Sequence, residues 1–171
     1  MKGIVKVGGI FKVEIYDKMH GNLISQSYAK NAVSDEGLDA ILDIMLHAAT
    51  QITTWYCLLF EDDVTPDGDT TYAVPVFTES TAYDEATRPE YEEAAASSQS
   101  TTNSANKATF TASDTKTFYG AAIVGGGTDG NTKDDQAGGG TLLCAGKFDT
   151  AQPVIDGNVV NLTYTISAAD A

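Results

Sequence analysis

The chain has 171 residues, 42% of them hydrophobic, and a formal net charge of -14. That length can bury the core of one domain, and the charge disfavours binding to nucleic-acid phosphate. No run of about 18 apolar residues occurs, so no membrane-spanning helix is expected.

Residues 1–9, Met1-Lys2-Gly3-Ile4-Val5-Lys6-Val7-Gly8-Gly9, do not read as a signal peptide, because Lys6 and the glycines interrupt the apolar residues. A product made and used without export is expected. The segment alternates only weakly and reads as an N-terminal arm preceding one domain over residues 10–171. Charge is uneven along the chain. Lys2, Lys6, Lys12, Lys18 and Lys30 face only Glu14 and Asp17 in the first thirty residues, a net of +3 that leaves -17 for the rest. A basic head on an acidic body suggests two surfaces with different jobs.

Phe11, Val13 and Ile15 alternate with Lys12, Glu14 and Tyr16, the pattern of a half-buried strand. Residues 17–22 carry turn chemistry, with Gly21-Asn22 supplying permissive backbone, and residues 23–29 read as the return strand of a hairpin. Ser34 can cap a helix whose first turn holds Asp35 and Glu36. Leu38, Ile41, Leu42, Met45 and Ala49 recur at helical spacing and predict a helix near residues 35–48 with one docked apolar stripe. Gly37 weakens the first turn, and His47 falls where it can cap the last.

Trp55-Tyr56-Cys57-Leu58-Leu59-Phe60 is apolar throughout, so both faces should be buried, and the run reads as a central strand. Residues 61–93 then hold eleven acids against Arg88 alone. Residues 94–106 are rich in Ala, Ser, Thr and Asn and read as a surface excursion. Strand signals return at Ala108, Phe110 and Ala112, over residues 118–124, and at Leu142, Leu143 and Cys144. The last strand is the cleanest, with Val160, Leu162, Tyr164 and Ile166 alternating with polar residues. About seven strands, one helix and long loops at 61–106 and 125–140 predict a mainly β fold. The expected form is an antiparallel β-sandwich with Ig-like or jelly-roll connectivity. Cys57 and Cys144 read as buried thiols, with a disulfide open if their strands are neighbours.

Motifs for chemistry are sparse. The glycine triplets at 125–127 and 138–140 lack the Lys-Ser/Thr of a P-loop, no nucleophile elbow occurs, and two histidines offer little to a triad or zinc site. Paired carboxylates are numerous but fall in acidic loops, so no enzyme and no cofactor are expected. Asp62, Asp63, Asp67 and Asp69 around Gly68 are weak calcium candidates, since hard oxygen ligands suit that ion. Asp129, Asp134 and Asp135 form a second such group. None has EF-hand spacing.

Several segments in order carry a resemblance. They are Ala29-Lys30-Asn31-Ala32-Val33 leading into Glu36-Gly37-Leu38-Asp39-Ala40-Ile41-Leu42; Ile52-Thr53-Thr54-Trp55-Tyr56; Phe77-Thr78-Glu79 with Ala86-Thr87-Arg88-Pro89; Asn103-Ser104 with Ala108-Thr109-Phe110; Tyr119-Gly120-Ala121; Gly140-Thr141-Leu142-Leu143; and Leu162-Thr163-Tyr164-Thr165-Ile166. From Phe11 onward the chain resembles a family of small tailed-bacteriophage virion proteins, labelled capsid decoration (cement) or tail-fibre proteins. It departs from the family pattern at Leu58, where the family has a glycine. The resemblance implies a structural protein of the virion exterior, assembled in the host cytoplasm. It implies a homotrimer bound to the phage major capsid protein, with no nucleic-acid or membrane partner. On that reading Ile4, Val5 and Val7 add a strand to a capsid edge, while Lys2 and Lys6 steer them to acidic surface. The alternative is a tail or head fibre module, using its long loops and Trp55, Tyr83 or Tyr91 against host sugars. A carbohydrate-active enzyme is a third reading.

Overall fold

The computed structural model describes residues 4–170. Phe11, Val13 and Ile15 are fully buried, as their alternation predicts. They lie on strand β1 (Val5–Tyr16), which turns through residues 17–22 into β2 (Leu23–Lys30). On its other side β1 pairs along its whole length with β9 (Val159–Asp170), whose Val160, Leu162 and Tyr164 are fully buried. These strands form a five-stranded antiparallel sheet. Its far edge is shared by β5 (Ser100–Thr102) and β6 (Ala108–Thr111), both paired with β9.

The second sheet has the order β3 (Ala32–Val33), β8 (Thr141–Val154), β7 (Lys116–Gly125), β4 (Trp55–Phe60), and is also antiparallel. Its inner face, including Cys57, Leu59, Ala121, Ile123 and Cys144, packs on the inner face of the first sheet in one apolar core. The β-sandwich expected from the sequence is the observed architecture.

Three expectations change. The run at Trp55–Phe60 is buried on both faces as predicted, but β4 is an edge strand, not a central one. Cys57 and Leu59 enter the main core, while Leu58 and Phe60 enter a second core with Tyr72, Phe77, Val124 and Leu142. The loop over residues 61–99 makes that second core by folding onto the sheet's outer face, where Phe77 stacks on Phe60 at 4.5 Å. It also covers the open edge. The Cys57 and Ser80 amides donate to Pro89 and Leu59 carbonyls at 2.8 Å, and the Tyr91 amide to Trp55 at 2.8 Å.

Residues 94–106, expected as an excursion, instead supply β5. Fully buried Asn103 bridges the break before β6: its amide donates to the Leu162 carbonyl at 3.2 Å and its oxygen accepts from the Tyr164 N–H at 2.7 Å. The N-terminal arm of residues 1–9 is not a separate unit over its described part, because Val5 onward is in register with Asp170 and its neighbours on β9.

Ser34 caps helix α1 (Asp35–Leu46), accepting from the Gly37 N–H at 2.9 Å, and His47 is the C-cap. Gly37 is the one buried residue of the helix. A Cβ there would collide with the Leu143 carbonyl on β8, so glycine permits the helix to touch the sheet's backbone.

Candidate interaction surface

Three features of the surface bear on function: an unpaired strand edge, an uncovered helix face, and acidic loops.

The first is the start of β1. Its pairing with β9 begins at Val5, whereas β2 reaches only from Ile10 onward. At Gly9 the carbonyl accepts from the Asn31 N–H at 3.2 Å, and the Gly9 N–H donates to the Asn31 side chain, so Gly9 points away from β9. By strand alternation the N–H and C=O groups of Val5 and Val7 point the same way. Among the described residues nothing pairs with them there. Ile4 and Val5 are 58% and 70% exposed, and Lys6 is exposed. Four of the five residues expected to engage a partner, Ile4, Val5, Lys6 and Val7, therefore sit together at an open edge. Lys2 lies outside the described residues. From Val5 onward the edge is paired with β9, not presented on a separate arm.

The second feature runs against the expectation from the sequence. The predicted stripe of α1 was to dock, yet its Leu38, Leu42 and Met45 are exposed, as is Leu46 beside them. Gly37, Ala40, Ile41 and Ile44 face the protein instead. Ile41 packs against the main core and, with Val7, Ile166 and Ala168, lines an apolar groove between the helix and the strand start. The signal was present in Ala40, Ile44 and Leu46, apolar residues off the predicted stripe that widen the arc beyond one face.

The acidic loops do not converge on a cation. Asp63 pairs with Lys147, Asp67 accepts from the Thr70 hydroxyl at 3.1 Å, and Asp62 accepts from the Thr78 amide. Asp69 is exposed. Asp135 accepts from the Tyr72 hydroxyl at 2.6 Å and from the Gly138 amide. Among the described residues no group of three or more Asp, Glu, His or Cys is placed to hold a metal, so the calcium candidates Asp63, Asp67 and Asp69 do not form a site.

Two of the three aromatics considered for sugar stacking are also withdrawn from solvent. Tyr83 and Tyr91 are 3% and 5% exposed, and Trp55 is half-buried. Tyr83 packs edge-on against Phe110 with rings 5.0 Å apart.

Arg88, the one base in the acidic stretch, is buried and holds the long loops together. Its guanidinium donates to the Glu79 carboxylate, the Tyr72 hydroxyl (3.1 Å) and the carbonyls of Gly130 (2.9 Å) and Asp135 (3.1 Å). Burial pushes the Glu79 carboxyl up, against the opposing pull of Arg88. Every guanidinium nitrogen has a partner, so this centre is structural glue between residues 61–99 and 125–140, with no donor left for a ligand.

Among the described residues no helix is long and apolar enough to cross a membrane. A scan against protein-family models finds none that matches the chain, and a search of curated proteins finds no match.

Proposed function

We propose that this chain is a virion structural protein of a tailed phage: a capsid decoration (cement) protein. It binds the outer shell as a homotrimer and bridges neighbouring major capsid subunits. It works by occupying surface and catalyses nothing. Its place is the virion exterior, and it assembles in the host cytoplasm.

The resemblance of its ordered segments to that family is one support. The observation that carries the reading is the unpaired edge at the start of β1. A strand edge already paired on its other side with β9, with exposed Ile4 and Val5, suits strand addition to a partner's sheet, in which main-chain bonds give affinity and alternate side chains give register. Lys6 draws the edge toward an acidic partner surface. Binding of this kind stabilises the assembled shell and nothing else, because the joint it spans exists only there.

The test uses shells that lack the protein. Proline at Val5 or Val7 removes an N–H that points outward and leaves the β9 pairing in place. Val5→Pro/Val7→Pro should remain folded and lose shell binding at least tenfold. Undiminished binding by a folded double variant removes the edge from the reading. Labelling of complete particles gives the copy number. Many copies over the shell support decoration, whereas a few at a vertex or on the tail support the fibre alternative.

A further inference from the structure

Helix α1 is covered on one side only. Leu38, Leu42, Met45 and Leu46 are 37%, 54%, 74% and 80% exposed, beside an inner face of Gly37, Ala40, Ile41 and Ile44. The two sets adjoin, so the apolar arc spans more than half the helix circumference. A helix apolar over that arc belongs between two layers, and this chain supplies one of them. Four large apolar side chains in succession also exceed the scattered exposure normal for a surface.

The five-stranded sheet has a matching bare area on its outer face, where β1 meets β2. Ile10 and Tyr28 are 49% and 44% exposed, with Lys30 opposite Ile10 and Lys12 opposite Tyr28 in the register. Lys12 and Lys107 share the single carboxylate of Glu14 at 2.7 and 2.6 Å, so that trio is net positive. Lys30 makes no ion pair among the described residues. The polar side of α1 is the opposite: Asp35, Glu36, Asp39 and Asp43, with no base and no ion pair among the described residues.

We propose that a second copy of this chain lays its α1 across this outer face. Leu38, Leu42 and Met45 cover Ile10 and Tyr28, and Asp39 and Asp43 turn toward Lys30 and the Lys12–Glu14–Lys107 trio. Charge selects this occupant and this arrangement. A face-to-face pairing of two α1 helices would set two rows of acids together, which costs free energy, whereas helix on sheet sets acids against lysines. The contact joins two different patches, so it is head-to-tail and closes into a ring when the rotation allows. One helix on one sheet buries less than the roughly 800 Å² per partner of a standard interface. Closure gives each chain two such contacts, which favours a ring over an open pair.

This inference deepens the homotrimeric part of the proposed function by naming its surface, and it is tested without capsids, so either can fail alone. Sedimentation velocity on the full chain should show a ring at concentrations up to about 100 µM, well above micromolar dissociation. Leu42→Asp/Met45→Asp and, separately, Tyr28→Asp/Lys30→Glu should sediment as monomers with unchanged circular dichroism. A mixture of the two retains one intact contact and should sediment as a pair. Should either double variant fold poorly, Lys30→Glu alone should weaken association at least tenfold, and Asp39→Lys in the same chain should restore it. A monomeric wild type overturns the proposal. So does a ring that survives either folded variant, including loss of assembly through the helix variant alone, which would mean helix against helix.

Discussion

Arg88 lies against Glu79 inside the protein, its Nε 2.9 and 3.1 Å from the two carboxylate oxygens and both side chains almost wholly withdrawn from solvent. Removing one partner leaves a buried charge with nothing to balance it. Arg88→Met should therefore cost about 3–5 kcal/mol, read by urea denaturation. Pairing it with Glu79→Leu should recover much of that loss, because the uncompensated carboxylate is gone. Equal destabilisation by the single and double variants would show that packing of the loops, not charge balance, dominates.

Gly37 offers a prediction of unusual sign. Glycine to alanine inside a helix ordinarily stabilises by about 1 kcal/mol. Here the added methyl meets the Leu143 carbonyl and the backbone around it. Gly37→Ala should lift the helix from β8 and destabilise by about 1–3 kcal/mol, the range for overpacking. Thermal unfolding decides between the two signs.

Glu14 ties acid sensitivity to the outer face of the sheet. Burial raises its pKa, but the hydrogen bonds from Lys107 and Lys12 outweigh that and hold it below 4.5. A depressed folded pKa contributes stability that is present above the unfolded value and lost as pH falls through the folded one. Wild type should thus lose about 1 kcal/mol below pH 4.5 from this group. Glu14→Gln should flatten that part of the stability–pH curve while lowering stability at neutral pH.

The two thiols should stay reduced and unreactive. Cys57 pairs with Ile123, and Ile123 pairs with Cys144, so β7 lies between them. Two strand spacings are about 9.6 Å, beyond the reach of a disulfide without backbone movement. Burial pushes both thiols up, Cys144 to about 12. A thiol reagent should titrate neither in the native protein and both in denaturant; a native intramolecular disulfide by mass spectrometry would contradict this register.

Alternation carried the strands well because it is local. Phe11, Val13 and Ile15, and Val160, Leu162 and Tyr164, announce their inner face without reference to anything distant. The run at Trp55–Phe60 correctly shows two buried faces, but faces say nothing of sheet edges, so its lateral position was not legible. Tyr72, Phe77, Tyr83, Arg88 and Tyr91 are buried at irregular spacing. Their partners lie on β4, β6, β9 and the glycine loop, and no local period encodes such contacts. The helix shows the converse limit. Periodicity groups Leu38, Leu42 and Met45 on one side, yet it cannot say whether the chain itself supplies the cover. For the strand edge, the composition of residues 4–7 marked the place, while its unpaired state follows from where β2 stops, which only the register reveals.

Val5 and Asp170 are cross-strand partners at the end of the β1–β9 ladder. Tension applied through both would peel that ladder like a zipper, one bond after another, which takes little force. The same ladder loaded sideways, through contacts spread over the sheet, shares strain among all its rungs. A molecule wired this way resists stretching when gripped broadly by its flanks and yields when tugged by its tips.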